Sequence, residues 1–225
     1  MTAGDRMDAL TAAAIPRERW GAQRLSTLTD GERDFYRWIL RSFRAGAPPS
    51  LAELADSASH FELEVEPTLE RLRRQDLVHH DPGTGAILVA YPFSGRPTAH
   101  RVHFESGESV FAMCAIDALG MAPMLGERIQ VASRDPLTGE EIRIELAADG
   151  EGDWQPQEAV VVCGTSGCGK SSSSCCPVLN FFASTASAER WLAARTDVQG
   201  EVISMPDAIA AGRTVFGDVL RRDRP

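Results

Sequence analysis

The sequence predicts an α+β fold: an N-terminal winged-helix-like unit of three helices and a hairpin, then a mixed or antiparallel β core with peripheral helices. Three observations predict it. Apolar residues recur at helical spacing before residue 75. Strict apolar/polar alternation marks Arg101–Glu105, Arg128–Ser133 and Glu141–Leu146, the signature of half-buried strands. Turn residues separate most strands at hairpin lengths, without room for crossover helices. The 225 residues divide into an arm (1–24), a winged-helix-like domain (25–95) and a second domain (96–225).

The arm is rich in Ala and Arg and contains Pro16; Met1 to Leu10 can start a short helix. Thr29 or Asp30 can cap a helix carrying Phe35, Ile39, Leu40 and Phe43. Ala47-Pro-Pro-Ser50 breaks it, and Ser50 can cap a second helix through Leu51 and Leu54. A third runs from about Val65 to Gln75. Leu77 and Val78 begin a strand, Asp81–Gly85 is a turn and Ala86–Tyr91 returns. Ser94–Thr98 is a linker. Ser106-Gly-Glu108 leads into the apolar stretch Val110–Gly120, where Gly120, Pro123 and Gly126 place a helix end near 119–125. Asp135–Gly139 joins the next two strands as a hairpin. Ala148–Trp154 is a loop, and Ala159–Val162 and Val178–Phe182 are short apolar strands. Ser187 can cap a helix through Trp191, Val202–Ser204 is a last strand, and a last helix begins at Pro206.

Composition narrows the function. Net charge is −9, with Lys170 the single lysine, which argues against binding nucleic acid through its phosphates. In the third helix Arg71, Arg73 and Arg74 sit beside Glu66 and Glu70, so no nucleic-acid partner is expected. No run approaches the ~20 apolar residues of a membrane span, and the N-terminus has no basic-then-apolar leader; the expectation is a cytoplasmic protein without a membrane partner.

Cysteine usage is the unusual feature. There are five, Cys114, Cys163, Cys168, Cys175 and Cys176, with four inside residues 163–176. An odd count in a reducing compartment points to soft-metal chemistry or a reactive thiol. Zinc knuckles would show paired two-residue gaps, which Cys163, Cys168 and Cys175 lack. Gly164-Thr-Ser-Gly-Cys-Gly-Lys-Ser171 fits the phosphate-loop pattern letter for letter. However, Pro177 forbids the long helix that such a loop needs. Cys175 and Cys176 are adjacent, so on an extended chain one can face a pocket while the other packs inward. In the first apolar stretch Cys114 and Asp117 are three residues apart, on one face if the segment is helical. A carboxylate in such a stretch is costly unless it is paired or has a role.

Two of these stretches carry a resemblance. Phe111-Ala-Met-Cys-Ala-Ile-Asp-Ala-Leu119, with Pro123-Met-Leu-Gly126, resembles the first active-site segment of organomercurial (alkylmercury) lyases. Cys175-Cys176, then Phe181-Phe-Ala-Ser184 and the Trp191 helix, resembles the second. The second segment departs from the family in reading Cys-Cys-Pro-Val-Leu-Asn, without histidine, and Cys163 and Cys168 are additions. The resemblance implies that 96–225 is the catalytic domain and that Cys114, Asp117 and Cys175 act on a carbon–mercury bond. Asp117 would take the Cys114 proton, the two sulfurs would hold the metal, and Asp117 would return the proton to carbon. It implies no resident cofactor. Hg(II) would be bound as product by Cys114, Cys175 and Asp117, and cellular thiols or a mercuric reductase would accept it. Phe111, Met113, Phe181 and Phe182 can line the pocket or serve as core, and Cys163 and Cys168 can form a metal relay. The alternative is a non-enzymatic protein binding mercury or copper, or a metal-responsive winged-helix regulator.

Overall fold

The computed structural model of the chain describes residues 21–166 and 171–220. The expected helix at Met1–Leu10, and Cys168 and Lys170, lie outside the described residues. Of the arm, α1 (Gly21–Leu25) is described.

Three helices follow: α2 (Asp30–Arg44), α3 (Leu51–His60) and α4 (Val65–Arg74). Thr29 and Ser50 cap the first two as expected. Each forms a capping box, in which Glu32 and Glu53 reach back to the cap backbone, so two orphan donors are satisfied at each start. Phe35, Ile39, Leu40 and Phe43 are buried along one face of α2. Two of the three arginines of α4 are engaged by carboxylates: Arg71 pairs with Glu32 at 2.7 Å and Arg73 with Glu70 at 2.6 Å.

Eight strands make one antiparallel sheet in the order β1-β2-β3-β5-β4-β6-β7-β8. They are β1 (Val78–His80), β2 (Ile87–Ala90), β3 (Phe93–Ser94), β4 (His100–Phe104), β5 (Ser109–Ala112), β6 (Ile129–Arg134), β7 (Glu141–Leu146) and β8 (Gly152–Gln155). Through β3 the first hairpin continues the sheet of the second half, and one hydrophobic core runs from Leu25 to Val219. β8 lies where a loop was expected; it pairs along β7 with Trp154 opposite Ile144. A second sheet, β10-β9-β11, contains β9 (Val160–Thr165), β10 (Asn180–Phe182) and β11 (Gln199–Ser204). Three further helices belong to this half: α6 (Ser171–Ser174), α7 (Thr185–Ala193), capped by Ser184 three residues before the expected Ser187, and α8 (Met205–Phe216). No helix among the described residues is long and apolar enough to cross a membrane.

The helix α5 (Ala115–Leu125) corrects the expectation of peripheral helices. Every residue from Ala115 to Ala122 is buried. It passes through Gly120 and Pro123 and ends at Gly126, which adopts φ +72, the left-handed cap that glycine accommodates without penalty. Gly120 serves packing instead of termination. A Cβ there would stand 2.4 Å from Phe216 Cδ2, and one on Gly212 would stand 2.8 Å from the Gly120 nitrogen. The two glycines thus let α5 and α8 cross at near backbone contact. Arg44 holds the far end of α5 by pairing with Glu127 at 2.6 Å while lying 3.9 Å above the Phe104 ring.

Candidate active site

The strand β5 stops at Ala112, and Cys114, with φ −155 and ψ −179, is the N-cap of α5. Its sulfur accepts the Asp117 backbone N–H at 3.4 Å. The expected shared face therefore arises from helix capping: Cys114 precedes the first turn, and Asp117 occupies its third position. The start of α5 is pinned from across the site, where the Ala115 N–H donates to the Leu179 carbonyl at 2.9 Å. Asp117 is 4% exposed. Desolvation pushes its pKa up to about 7. Hydrogen bonding with Cys114 and Cys176 and the Arg24 charge offset this only in part. A carboxyl at this value can hold or release a proton near neutrality.

Cys175 and Cys176 lie on the turn that follows α6, not on an extended strand. Both of their amides donate to the Ser171 carbonyl, at 3.0 and 2.8 Å. The Cys176 thiol points to the Asp117 carboxylate, 3.8 Å from Oδ2, and to the Tyr91 hydroxyl at 3.9 Å. The donor atoms of Cys114, Asp117 and Cys176 all lie within 4.8 Å of one another. Cys175 lines the same cavity, its sulfur 3.7 Å from Ser174 Oγ. Burial, the hydrogen bond with Cys176 and the Asp117 charge raise the Cys114 thiol well above its ordinary value. For Cys176 the Cys114 hydrogen bond pulls downward, but burial and the Asp117 charge leave it raised. Burial thus favours the thiol form of Cys114 and Cys176 around one adaptable carboxyl. No disulfide joins the four described cysteines.

The cavity measures about 40 Å³, room for one or two waters. Its apolar wall comes from Ile116, Leu179, Val215 and Phe216. Of the two roles open to Phe111, Met113, Phe181 and Phe182, lining or core, none of the four lines this cavity. Phe181 and Phe182 are fully buried core, against His100 and Trp191, and Phe111 lies under Arg101. Met113 packs on the core. Cys163 sits in the central strand β9, its thiol pushed up to about 12 by burial and the Glu201 charge; neither property suits a mobile relay.

Sequence reasoning missed three residues that line the cavity, Arg24, Tyr91 and Ser171, and the carboxylate that ties two of them together, Asp76. Arg24 reaches the Asp76 carboxylate at 3.2 Å and the Asp76 carbonyl at 2.7 Å, and its guanidinium lies 5.6 Å from the Tyr91 ring centroid. Asp76 Oδ2 also accepts from the Ser171 N–H at 3.0 Å and the Ser171 hydroxyl at 2.6 Å, and its Oδ1 lies 2.6 Å from His79 Nε2. Burial works against ionisation of Asp76, but these hydrogen bonds and Arg24 prevail and hold its pKa at about 2. The partners are 52 and 95 residues apart in sequence, so no local pattern announces them. The same contacts weigh against the phosphate-loop match at its last residue, Ser171. The first amide of the four-residue α6 already serves the Asp76 carboxylate.

Comparison with known proteins agrees with this geometry. The chain is 27% identical over 199 residues to an alkylmercury lyase of Staphylococcus epidermidis, covering 86% of this chain and 88% of the relative. It is 28% identical over 194 residues to one of Bacillus cereus, covering 84% of each. Its fold is similar to a solved structure described as the mercury-bound form of MerB2, with a TM-score of 0.73, 20% identity, and coverage of 90% of this chain and 98% of that one. Residues 93–217 match the family MerB, alkylmercury lyase. That span is over half of the chain and holds the capped helix, the vicinal thiols and the wall of the cavity between them, and on it the chain belongs to the alkylmercury lyase family.

Proposed function

We propose that the protein is a carbon–mercury lyase that protonates the carbon of an organomercurial and retains Hg(II). The observation that carries this is a buried carboxyl, poised near neutrality, at the meeting point of thiols from two distant segments. Thiolates match a soft metal, and a metal-binding site alone has no need of a proton donor among them.

Cys114, Asp117 and Cys175 do the chemistry in this reading. Asp117 takes the Cys114 proton as that sulfur bonds to mercury, so no isolated thiolate forms in the buried site. Cys176 is the thiol that rests nearest Cys114 and Asp117, but Cys175 lines the same cavity, and in this reading it adds as the second sulfur. Two electron-rich ligands weaken the carbon–mercury bond, and its electron pair takes the proton that Asp117 returns. The products are a hydrocarbon and Hg(II) held by two thiolates. One of the two thiol protons ends on carbon, and the other leaves with the ligand that carried the substrate in. Cys176 keeps the carboxyl engaged in the resting state. The apolar wall keeps water away, so the proton goes to carbon.

The reaction uses no resident cofactor in this scheme. External thiols, or a reductase presenting thiols, remove the metal by exchange, as fits a cytoplasmic setting. α2–α4 with β1–β2 is a winged-helix-like unit fused to the catalytic half, and it serves the sheet, not nucleic acid. The test is incubation of purified protein with an arylmercury compound and excess small thiol. The expected result is release of the arene with turnover. A protein that holds Hg(II) but yields no arene is a soft-metal carrier, and the lyase reading fails.

A further inference from the structure

A cavity of about 40 Å³ is lined from five separate stretches of the chain, and one side chain outside it touches two of the lining residues, Arg24 and Ser171. Asp76 follows α4 with φ +56, the left-handed region, which a non-glycine residue adopts seldom and Asp or Asn most readily. That turn aims its carboxylate at the site. One oxygen meets His79 and the other meets Arg24 and both donors of Ser171. Arg24 also donates to the Ser171 hydroxyl at 3.1 Å. The Ser171 carbonyl in turn accepts the amides of Cys175 and Cys176. The chain of contacts runs from Asp76 to the backbone of the thiol turn in two steps, and from Asp76 to the cation beside Asp117 in one.

We propose that Asp76 is a positioning residue for the reaction: its carboxylate fixes both the Arg24 guanidinium on the cavity wall and the turn that presents Cys175 and Cys176. The inference rests on the lyase reading for its catalytic consequence and on geometry alone for its structural one. Asp76 touches none of the groups assigned to the chemistry. Its effect passes through Ser171 and Arg24, both of which line the cavity.

The test compares wild type with Asp76→Asn, which tolerates the left-handed backbone but removes the charge, and with Ser171→Ala, which removes the hydroxyl that both Asp76 and Arg24 engage and leaves the backbone donor. The readout is the rate of alkylation by N-ethylmaleimide at each cysteine, followed by peptide mass mapping. In both variants Cys175 and Cys176 are expected to react about tenfold faster, from the loss of charge-assisted hydrogen bonds, while Cys163 is unchanged. The double variant should be no worse than the stronger single one, because both act through one contact. On the arylmercury assay kcat/KM falls about tenfold in step. Unchanged alkylation, or equal acceleration at Cys163 as well, overturns the proposal, since general loosening exposes every thiol. The labelling needs no mercury substrate, so a wild type that fails to cleave arylmercury defeats the lyase reading and leaves the role of Asp76 to be decided by the labelling.

Discussion

Replacing Asp117 with Asn should make the protein more stable and, on the proposed mechanism, inactive. The carboxyl has an ordinary value of 3.8 in the unfolded chain and about 7 in the fold, chiefly through desolvation. Below 3.8 both states hold the proton. Between 3.8 and 7 the unfolded chain releases it and the folded one does not, so wild type loses stability as pH rises, and the loss levels off above 7. At about 1.4 kcal/mol per pH unit, the ionised carboxyl costs the fold about 4 kcal/mol in total, of which about 3 kcal/mol falls between pH 5 and pH 7. Asn carries no such term, whatever its own packing costs. Urea unfolding of both proteins at pH 5 and pH 8 reads the difference directly. The gap should shift in favour of Asp117→Asn by about 3 kcal/mol on going to pH 8. A gap independent of pH would mean that Asp117 ionises as a solvated carboxylate does, and the argument from burial to proton shuttle would fail with it.

Three other outcomes follow from the same geometry. The kcat/KM of wild type for an arylmercury substrate should rise with pH through an inflection near 7, because the free enzyme must hold Asp117 ionised to accept the Cys114 proton; a flat profile from pH 5.5 to 8 would remove Asp117 from that step. Cys175→Ser should abolish arene release, whereas Cys176→Ala should retain turnover with the inflection moved upward, since the Cys176 hydrogen bond lowers the Asp117 value; the reverse pattern would exchange the roles of the two thiols. Gly212→Ala should destabilise the fold by about 1–3 kcal/mol, as overpacking does, because the added methyl would meet the Gly120 nitrogen 2.8 Å away; its activity should fall too, and unchanged urea unfolding would show that α5 and α8 can part freely.

The sequence was most informative where physics is local. Capping boxes at Thr29 and Ser50, the side-chain-stabilised turns at Asp81 and Asp135, and the β6–β7 hairpin were all legible, because each depends on residues a few positions apart. The pairing of Cys114 with Asp117 was legible for the same reason, though the helix-cap geometry behind it was not. Tertiary facts stayed hidden. Gly120 reads as a helix breaker unless Gly212 and Phe216 are known to lie against it. The choice between Cys175 and Cys176 depends on which way a turn rotates, and spacing carries no information about that. Nothing local marks Arg24 and Asp76, which only the fold brings together.

The continuity of the eight-stranded sheet reaches beyond architecture. A fragment trimmed to residues 93–217, the span shared with the lyases, would lose the hairpin that covers β3 and leave a raw, adhesive margin of unpaired amides. It would also be stripped of Arg24 and Tyr91, which line the reaction chamber, and of Asp76, which holds Arg24 there. Shortening this enzyme from the front would therefore yield sticky, inert protein in place of a minimal catalyst, and the opening helices are better regarded as part of the machine than as its accessory.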